Sequence, residues 1–386
     1  MRKLLIVCST LDLDLPHNAT PALWQLFKGL YEIGCQPIII PYRGKAIRSL
    51  WWTCYENPCR IEGELYFSMR KVLHKNPVKK RSVNNNGEII IPRLAQLLIG
   101  SKWKSRLDTV FHSERDIEAL IFVGVPLNQI KGIASYVREK YNVPVLYYDL
   151  DVPTSFPENG GFKFNYFVGA DLSEYDAFII PSEGSAARLL ELGAQKVFIL
   201  HFGVDPAAYM PIALQHDIDV SFFGGGSRNR EHSINMMITK PSMKLPNRFL
   251  AIGRNFNMDL GQAILIPFIR FNDWRNYSCR SKINLNIPRE NHARTYATST
   301  SRPFELGAMG CCIVSSPYQG LEKWFDVDRE ILVVKSAEEA IDTYQGLLED
   351  EEARRKFGRL ARERVCKEHT HIHRAKELLQ ILDSIS

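Results

Sequence analysis

Short apolar runs alternate with amphipathic stretches along the whole chain. In the first half the runs fall at residues 4–8, 37–40, 89–91, 119–123, 145–148, 177–180 and 197–200. Each is rich in β-branched or aromatic residues and bounded by polar or turn residues, the pattern of parallel strands buried on both faces. Helical spacing appears between them. Thr20 caps a helix starting at Pro21, with Leu23, Leu26, Phe27 and Leu30 on one face and Gly34 as its stop. Ser185 opens another, with Leu189, Leu190 and Leu192 before Gly193. This alternation predicts a doubly wound α/β domain.

The second half repeats the pattern, with strands expected at 220–223, 249–252, 264–267, 283–287, 312–315 and 331–334. Ser336 and Glu339 then have capping-box spacing, and from there to Ser386 the sequence is almost wholly helical in character. Pro206 and Pro211 interrupt both periodicities, so the boundary is set between 212 and 213. The expectation is two Rossmann-like domains in tandem, 1–212 and 213–386, the GT-B arrangement, in which terminal helices pack back toward the N-terminal domain.

Composition is that of a globular protein, with 45% hydrophobic and 24% charged residues over 386 positions. No uninterrupted apolar stretch reaches the roughly 18 residues of a membrane span. The short run after Met1-Arg2-Lys3 reads as a first strand and not as a signal peptide. None of the eight cysteines forms a CxxC pair, so reduced, buried thiols and a cytoplasmic location are expected. The formal charge of +6 is uneven: residues 60–106 carry eleven Lys or Arg against Glu62, Glu64 and Glu88. With Tyr66, Phe67, Met69, Val72 and Leu73 interleaved, this region is either a solvated face or a peripheral contact with the inner membrane surface. It holds no recognisable nucleic-acid module, and no nucleic-acid partner is expected.

Two segments carry chemistry. In Asp219-Val-Ser-Phe-Phe-Gly-Gly-Gly-Ser-Arg-Asn-Arg230 a strand runs into Gly224, Gly225 and Gly226, then Arg228 and Arg230. Such a loop either makes a tight turn or lets backbone N–H groups approach a diphosphate that the arginines neutralise. Gly253-Arg254 after the next strand adds a further cation. In Ser281-Lys-Ile-Asn-Leu-Asn-Ile-Pro-Arg289 and Ser301-Arg-Pro-Phe-Glu-Leu-Gly-Ala-Met-Gly310, Arg302 and Glu305 lie near a helix start. Glu305 there is either a partner of the helix dipole or an acceptor for ribose hydroxyls. Arg289, Ser301 and the hydroxyl-rich loop 291–301 are placed at the same anion. Tyr147-Tyr-Asp-Leu-Asp-Val-Pro153 puts Asp149 and Asp151 at a strand's carboxyl end, where a carboxylate can orient an acceptor hydroxyl or form a turn. His17, after the first strand, is a weaker candidate for the same crevice. His369-Thr-His-Ile-His-Arg374 has no nearby carboxylate pair and is read as structural, with no metal site.

Arg302-Pro-Phe-Glu305 with Gly310, Asn284-Leu-Asn286, and Glu368-His-Thr370 followed by Arg374 resemble the CgeB-like family of glycosyltransferase-like proteins. The glycine–arginine loop resembles the opening of that family's C-terminal domain, and Gly203-Val-Asp-Pro206 the end of the N-terminal domain in retaining GT-B transferases. The resemblance spans about residues 145–380. It implies transfer of a sugar from a nucleoside-diphosphate sugar to an acceptor, a hexosyltransferase type of reaction with no cofactor and no essential metal. Arg228, Arg230, Arg254, Arg289 and Arg302 would then hold the diphosphate, Glu305 the ribose, and Asp151 the acceptor side. Many retaining relatives carry a second glutamate eight residues before the one matched by Glu305, where this chain has Ala297. That departure leaves open a sugar-nucleotide-binding protein without turnover, and a sugar-nucleotide epimerase.

Overall fold

A computed structural model describes residues 1–11, 21–64, 85–160 and 166–385. The chain divides into two compact units: Met1–Ile180 with Ser185–Leu200 and Ala375–Ser386, and Pro181–Gly184 with His201–Arg374. The longer helices, in chain order, are α1 (Pro21–Glu32), α2 (Asn85–Ser113), α3 (Ile133–Tyr141), α4 (Phe271–Arg280), α5 (Ser301–Ala308), α6 (Ala337–Glu349), α7 (Glu351–Glu368) and α8 (His371–Asp383).

The first unit is built on strands β1 (Lys3–Thr10), β2 (Gln36–Arg43), β3 (Thr53–Cys54), β4 (Ile117–Val123), β5 (Val145–Tyr148), β6 (Ala177–Ile180) and β7 (Val197–Ile199). They form one parallel sheet in the order β3-β2-β1-β4-β5-β6-β7. Alternate residues of β1 feed opposite faces: Leu5 and Val7 pack with Trp103, Leu107 and Val110 of α2, while Leu4, Ile6 and Cys8 pack with α1. In α1 the side chains of Leu23, Leu26, Phe27 and Leu30 are buried at helical spacing, and Gly34, at φ +87°, ends it in the left-handed region. Residues Ala375, Leu378, Ile381 and Leu382 of α8 join that face, so the last turns of the chain belong to the first unit.

The second unit holds β8 (Ile218–Phe223), β9 (Phe249–Ile252), β10 (Ile264–Ile266), β11 (Ser281–Asn286), β12 (Ile313–Ser315) and β13 (Leu332–Val333). These are parallel in the order β10-β9-β8-β11-β12-β13. One face packs Val220, Phe222, Ile283 and Leu285 against Met237, Ala340 and Tyr344. The other packs α5 against α7 through Phe304, Leu306, Ala361 and Val365. A Cβ on Gly307 of α5 would stand 2.8 Å from a Val365 methyl, so the glycine sets how closely these helices approach. The Ser336 cap forms as expected: its hydroxyl accepts from the Glu339 amide at 3.1 Å, and Glu339 reaches back to the Lys335 amide at 2.7 Å.

Three expectations change. The run at 89–91 is not a strand but lies in α2, whose register is set by Trp103, Leu107 and Val110, all buried three or four residues apart. Local β-propensity yields there to the helical context. The unit boundary falls after Leu200 rather than after 212, because residues 201–212 pack with the second unit. Residues 375–386, counted within the expected C-terminal domain, belong to the first unit, in line with the expectation that the terminal helices pack back toward it. Thr20, His17 and residues 65–84 of the basic stretch lie outside the described residues. All eight cysteines are free. Among the described residues no helix is long and apolar enough to cross a membrane.

Candidate functional site

The carboxyl edge of the second sheet gathers most of the residues singled out by sequence. Leaving β8 and β9, two loops continue the ladder: the Gly224 amide donates to the Ile252 carbonyl at 2.9 Å, and the Gly226 amide to the Arg254 carbonyl at 2.9 Å. Gly253, at φ +146°, has no room for a side chain, since a Cβ there would sit 1.9 Å from the Gly224 carbonyl oxygen. Gly224 and Gly226 are also filled around, by the rings of Phe222 and Phe256 at 2.6 and 2.5 Å from an added Cβ. Only Gly225 has ordinary clearance. Two of the three glycines in the run are therefore required by loop packing, and the pairing of the loops takes up the Gly224 and Gly226 amides that were expected to face an anion.

Arg228 and Arg230 follow in a helical turn, Arg228–Arg230, and they diverge. Arg228 is exposed and makes no hydrogen bond or ion pair among the described residues. Arg230 is a tie: its Nε donates to the Ile287 carbonyl at 2.8 Å and its Nη1 to the Gly225 carbonyl at 3.0 Å, joining the glycine loop to the end of β11. Burial, then Arg289 and Arg302, lower its proton affinity, so both guanidiniums lie close enough to act on it. A guanidinium stays charged under such pressure, and the cluster is a concentrated positive field. His292, in the short helix Glu290–Arg294, lies beside it. Its pKa is pushed down to about 3 by burial and then by Arg289 and Arg230, which leaves a neutral imidazole. Arg254 stands apart and exposed, with its guanidinium over the ring of Phe268 at 4.6 Å.

Glu305 sits one turn into α5 and is only 4% exposed. Arg302, on the same helix face, donates through Nη1 to one carboxylate oxygen at 2.8 Å, while the Tyr209 hydroxyl donates to the other at 3.3 Å. The Arg302 guanidinium lies 3.8 Å over the Trp274 ring and 4.7 Å from that of Phe223. Burial lowers the proton affinity of Arg302 and Glu305 opposes this; burial, then Glu305, raises that of Tyr209. Arg302 is thus held by aromatic faces and a carboxylate, and it orients Glu305. Ser301 opens the helix half-buried, with no side-chain cap bond from Thr300.

The asparagines of the motif are structural. Asn284 donates to the Ser278 carbonyl at 3.1 Å, and Asn286 to the Ser315 hydroxyl at 2.9 Å. Arg374 donates to His369 Nδ1 at 2.7 Å and to the Phe202 carbonyl at 3.1 Å. His373 Nδ1 pairs with the Thr370 hydroxyl at 2.7 Å. Ala297 is fully buried with φ +46°; its amide donates to Gln319, and its carbonyl accepts from Glu183. Gly320 is so near that a Cβ on it would lie 2.4 Å from the Ala297 nitrogen. Position 297 is a tightly packed backbone junction.

In the first unit, Asp149 is 2% exposed and closes a turn after β5, accepting from the Ser155 hydroxyl at 2.6 Å and the Asp151 amide at 2.7 Å. Burial raises its pKa to about 6. Asp151, two residues on, is half-buried. In the described part of the basic region, Arg60 pairs with Glu64, Lys102 with Glu62, and Lys104 lies over the Tyr136 ring. Tyr209 and Trp274 had no local signal: they join the site only through the fold, Tyr209 from 96 residues before Glu305.

Residues 237–380 match the family described as "Glycosyl transferase-like". No curated protein matches the chain by sequence. Among solved structures, a sucrose-phosphate synthase from Thermosynechococcus elongatus superposes with TM-score 0.67 at 14% identity, covering 100% of this chain and 99% of that one. A glycosyltransferase from Rickettsia africae gives 0.56 at 14% identity, covering 100% and 98%. HepE from Anabaena, in complex with UDP-glucose, gives 0.60 at 11% identity, covering 100% of both chains. The fold is therefore that of the GT-B glycosyltransferases along the whole chain, and more than a third of the sequence also matches a glycosyltransferase-like family.

Proposed function

We propose that this protein transfers a sugar from a nucleoside-diphosphate sugar to an acceptor. The observation that carries the proposal is the continuity of one site. Glu305, oriented by Arg302 and Tyr209, adjoins a cluster in which the fields of Arg302 and Arg289 reach Arg230 at the carboxyl edge of a parallel sheet. A carboxylate suited to ribose hydroxyls and a positive field suited to a diphosphate leaving group are what such a donor requires. Support comes from the glycosyl transferase-like match over 237–380 and from the fold shared with an Anabaena protein bound to UDP-glucose.

In this reading the guanidiniums take the charge-neutralising role, so transfer needs no metal or cofactor. The chain is a CgeB-like hexosyltransferase whose second unit is the donor domain. The first unit receives the acceptor, with Asp151 on that side, and the basic 60–106 region rests on anionic lipid at the inner membrane face. Retention of configuration is retained as part of the proposal, although Ala297 supplies no acid. That same position favours a second reading, a protein that binds the donor without turning it over.

A thermal-shift screen of nucleoside diphosphates and their sugar conjugates tests the binding step. A ligand at about a hundred times its Kd stabilises by about 2.7 kcal/mol, which for a unit of this size is about 5–10 °C. No shift with any nucleoside diphosphate would defeat the proposal. Binding without turnover against any acceptor or water would favour the second reading, and product formation with no acceptor would favour an epimerase. Sedimentation with anionic but not neutral liposomes is expected of the membrane contact.

A further inference from the structure

Two thiols far apart in sequence meet in the second unit. Cys279 lies in the last turn of α4, and Cys311 follows Gly310, which stands just past the end of α5 at φ +68°. The Cys311 sulfur is 3.7 Å from the carbonyl oxygen of Ser278, the residue before Cys279, and the two cysteine side chains are hydrogen-bonded to each other. Each residue is 7% exposed, and both belong to the apolar cluster of Phe304, Leu306 and Val365. Cys312, next in the chain, packs on the other face of the sheet with Val220, Ile283 and Tyr344. Alternation in the segment leading into β12 thus presents only one of the two adjacent thiols to Cys279.

The pair is chemically asymmetric. The hydrogen bond with Cys311 lowers the proton affinity of the Cys279 thiol against the opposing effect of burial, and the Ile212 amide and Arg275 lower it further. The same hydrogen bond, then burial, raise that of Cys311. Burial also pushes up the thiols of Cys8, Cys35, Cys54, Cys59 and Cys312. The thiolate is the nucleophilic form of cysteine, so Cys279 is the sulfur prepared to attack, and Cys311 is the thiol placed to follow it.

We infer that Cys279 and Cys311 form a reversible oxidation site that takes hydrogen peroxide, the burial of both sulfurs admitting only an oxidant of that size. The Cys279 sulfur attacks one peroxide oxygen; the O–O bond breaks, the second oxygen leaves as water, and Cys279 becomes a sulfenic acid. The Cys311 sulfur then attacks the Cys279 sulfur; the S–O bond breaks, a second water leaves, and a disulfide remains. The two thiols lose two electrons and two protons, and the peroxide takes up both. The new bond ties the end of α4, whose Trp274 lies against Arg302, to the end of α5, which carries Arg302 and Glu305. The site stands whether or not the second unit binds a sugar nucleotide.

The test treats the reduced full-length chain with hydrogen peroxide and follows it by intact mass and by peptide mapping after alkylation. The expected product has lost two free thiols and about 2 Da, contains a peptide linking Cys279 to Cys311, and returns to the starting mass with dithiothreitol. Closing a loop of about 30 residues should raise its melting temperature by about 5–10 °C over the reduced chain. Cys311→Ser should stop the reaction at a Cys279 sulfenic acid that dimedone captures, whereas Cys279→Ser should leave Cys311 a thiol. An assay on the native chain covers the case in which a variant does not fold: limiting iodoacetamide should label Cys279 before Cys311 and Cys312. The inference is overturned if Cys279 and Cys311 stay reduced while other cysteines oxidise. It is equally overturned if the linked peptide contains Cys312 in place of Cys311, or if Cys279 is labelled no faster than Cys312.

Discussion

Arg302 offers the sharpest test of how the site is built, because sequence reasoning placed it on the diphosphate while the structure pairs it with Glu305. The Glu305 carboxylate is 4% exposed and has two polar contacts, Arg302 at 2.8 Å and Tyr209 at 3.3 Å. Removing one member of a buried pair costs about 3–5 kcal/mol. Because the Arg302 side chain is 23% exposed, water can reach the vacancy, and about 3 kcal/mol is appropriate. Loss of the guanidinium from the Trp274 and Phe223 faces adds about 1 kcal/mol, so Arg302→Ala should destabilise the second unit by about 4 kcal/mol. Glu305→Ala leaves a partly hydrated arginine still resting on two rings and should cost about 2 kcal/mol. In the double variant no unpaired charge remains buried. Its cost should be about 4 kcal/mol, a coupling of about 2 kcal/mol. Denaturant unfolding of the four proteins, followed through tryptophan fluorescence and by calorimetry, measures this cycle. A coupling below about 0.5 kcal/mol, with Arg302→Ala as stable as the native chain yet poor at binding pyrophosphate, would refute the pairing and return Arg302 to the diphosphate.

Arg228 and Arg230 should separate in the same assays. Arg228→Ala is expected to weaken UDP more than uridine with melting temperature unchanged, whereas Arg230→Ala should destabilise the ligand-free protein by about 2 kcal/mol through loss of its two carbonyl contacts. Gly253→Ala should cost about 3 kcal/mol or more, because a methyl group cannot share space with the Gly224 carbonyl; a melting temperature within a degree of native would contradict this. Asp149 sets a pH dependence in the first unit. Its folded pKa of about 6 lies above the ordinary 3.8, so the folded state holds the proton more tightly. The contribution is full below about pH 4 and is lost as pH rises through 6, about 3 kcal/mol in all. Asp149→Asn should remove that slope from the pH profile of unfolding, and an unchanged slope would show that another group is responsible.

The sheets were legible because parallel strands covered on both faces need unbroken apolar runs, and β5, β6 and β9 lie where those runs do. The run at 89–91 has the same local composition but sits within a helix of 29 residues, and a short apolar run does not by itself tell the two cases apart. β3 spans two residues and has no run to see. In the site, Arg302 and Glu305 were legible together because i,i+3 spacing puts them on one helix face. Tyr209 and Trp274 were not, since nothing near either of them in sequence marks a partner. The unit boundary was missed for a related reason: prolines show where periodicity stops, but the side to which a linker packs is a tertiary matter.

The glycine loop illustrates how a motif's spacing can mislead about which atoms are available. Its spacing pointed to backbone amides facing an anion, yet Gly224 and Gly226 donate to the neighbouring loop and are hemmed in by Phe222 and Phe256. If a diphosphate binds at this edge as proposed, its recognition falls to side chains, with the cationic ones facing the leaving group. In the same reading the residue at 297, a fully buried alanine, supplies no acid on the sugar side. If the proposed transfer runs here, little of the developing positive charge on the sugar is met by a carboxylate at 297, and rate must depend chiefly on stabilising the departing diphosphate. Changes in the arginine cluster should therefore lower kcat as well as donor affinity, whereas in an enzyme with an acid at 297 the same changes would be partly buffered. A cluster variant that weakened donor binding with kcat intact would show that the guanidiniums bind the ground state and transition state alike, and that sugar-side stabilisation comes from a group other than residue 297.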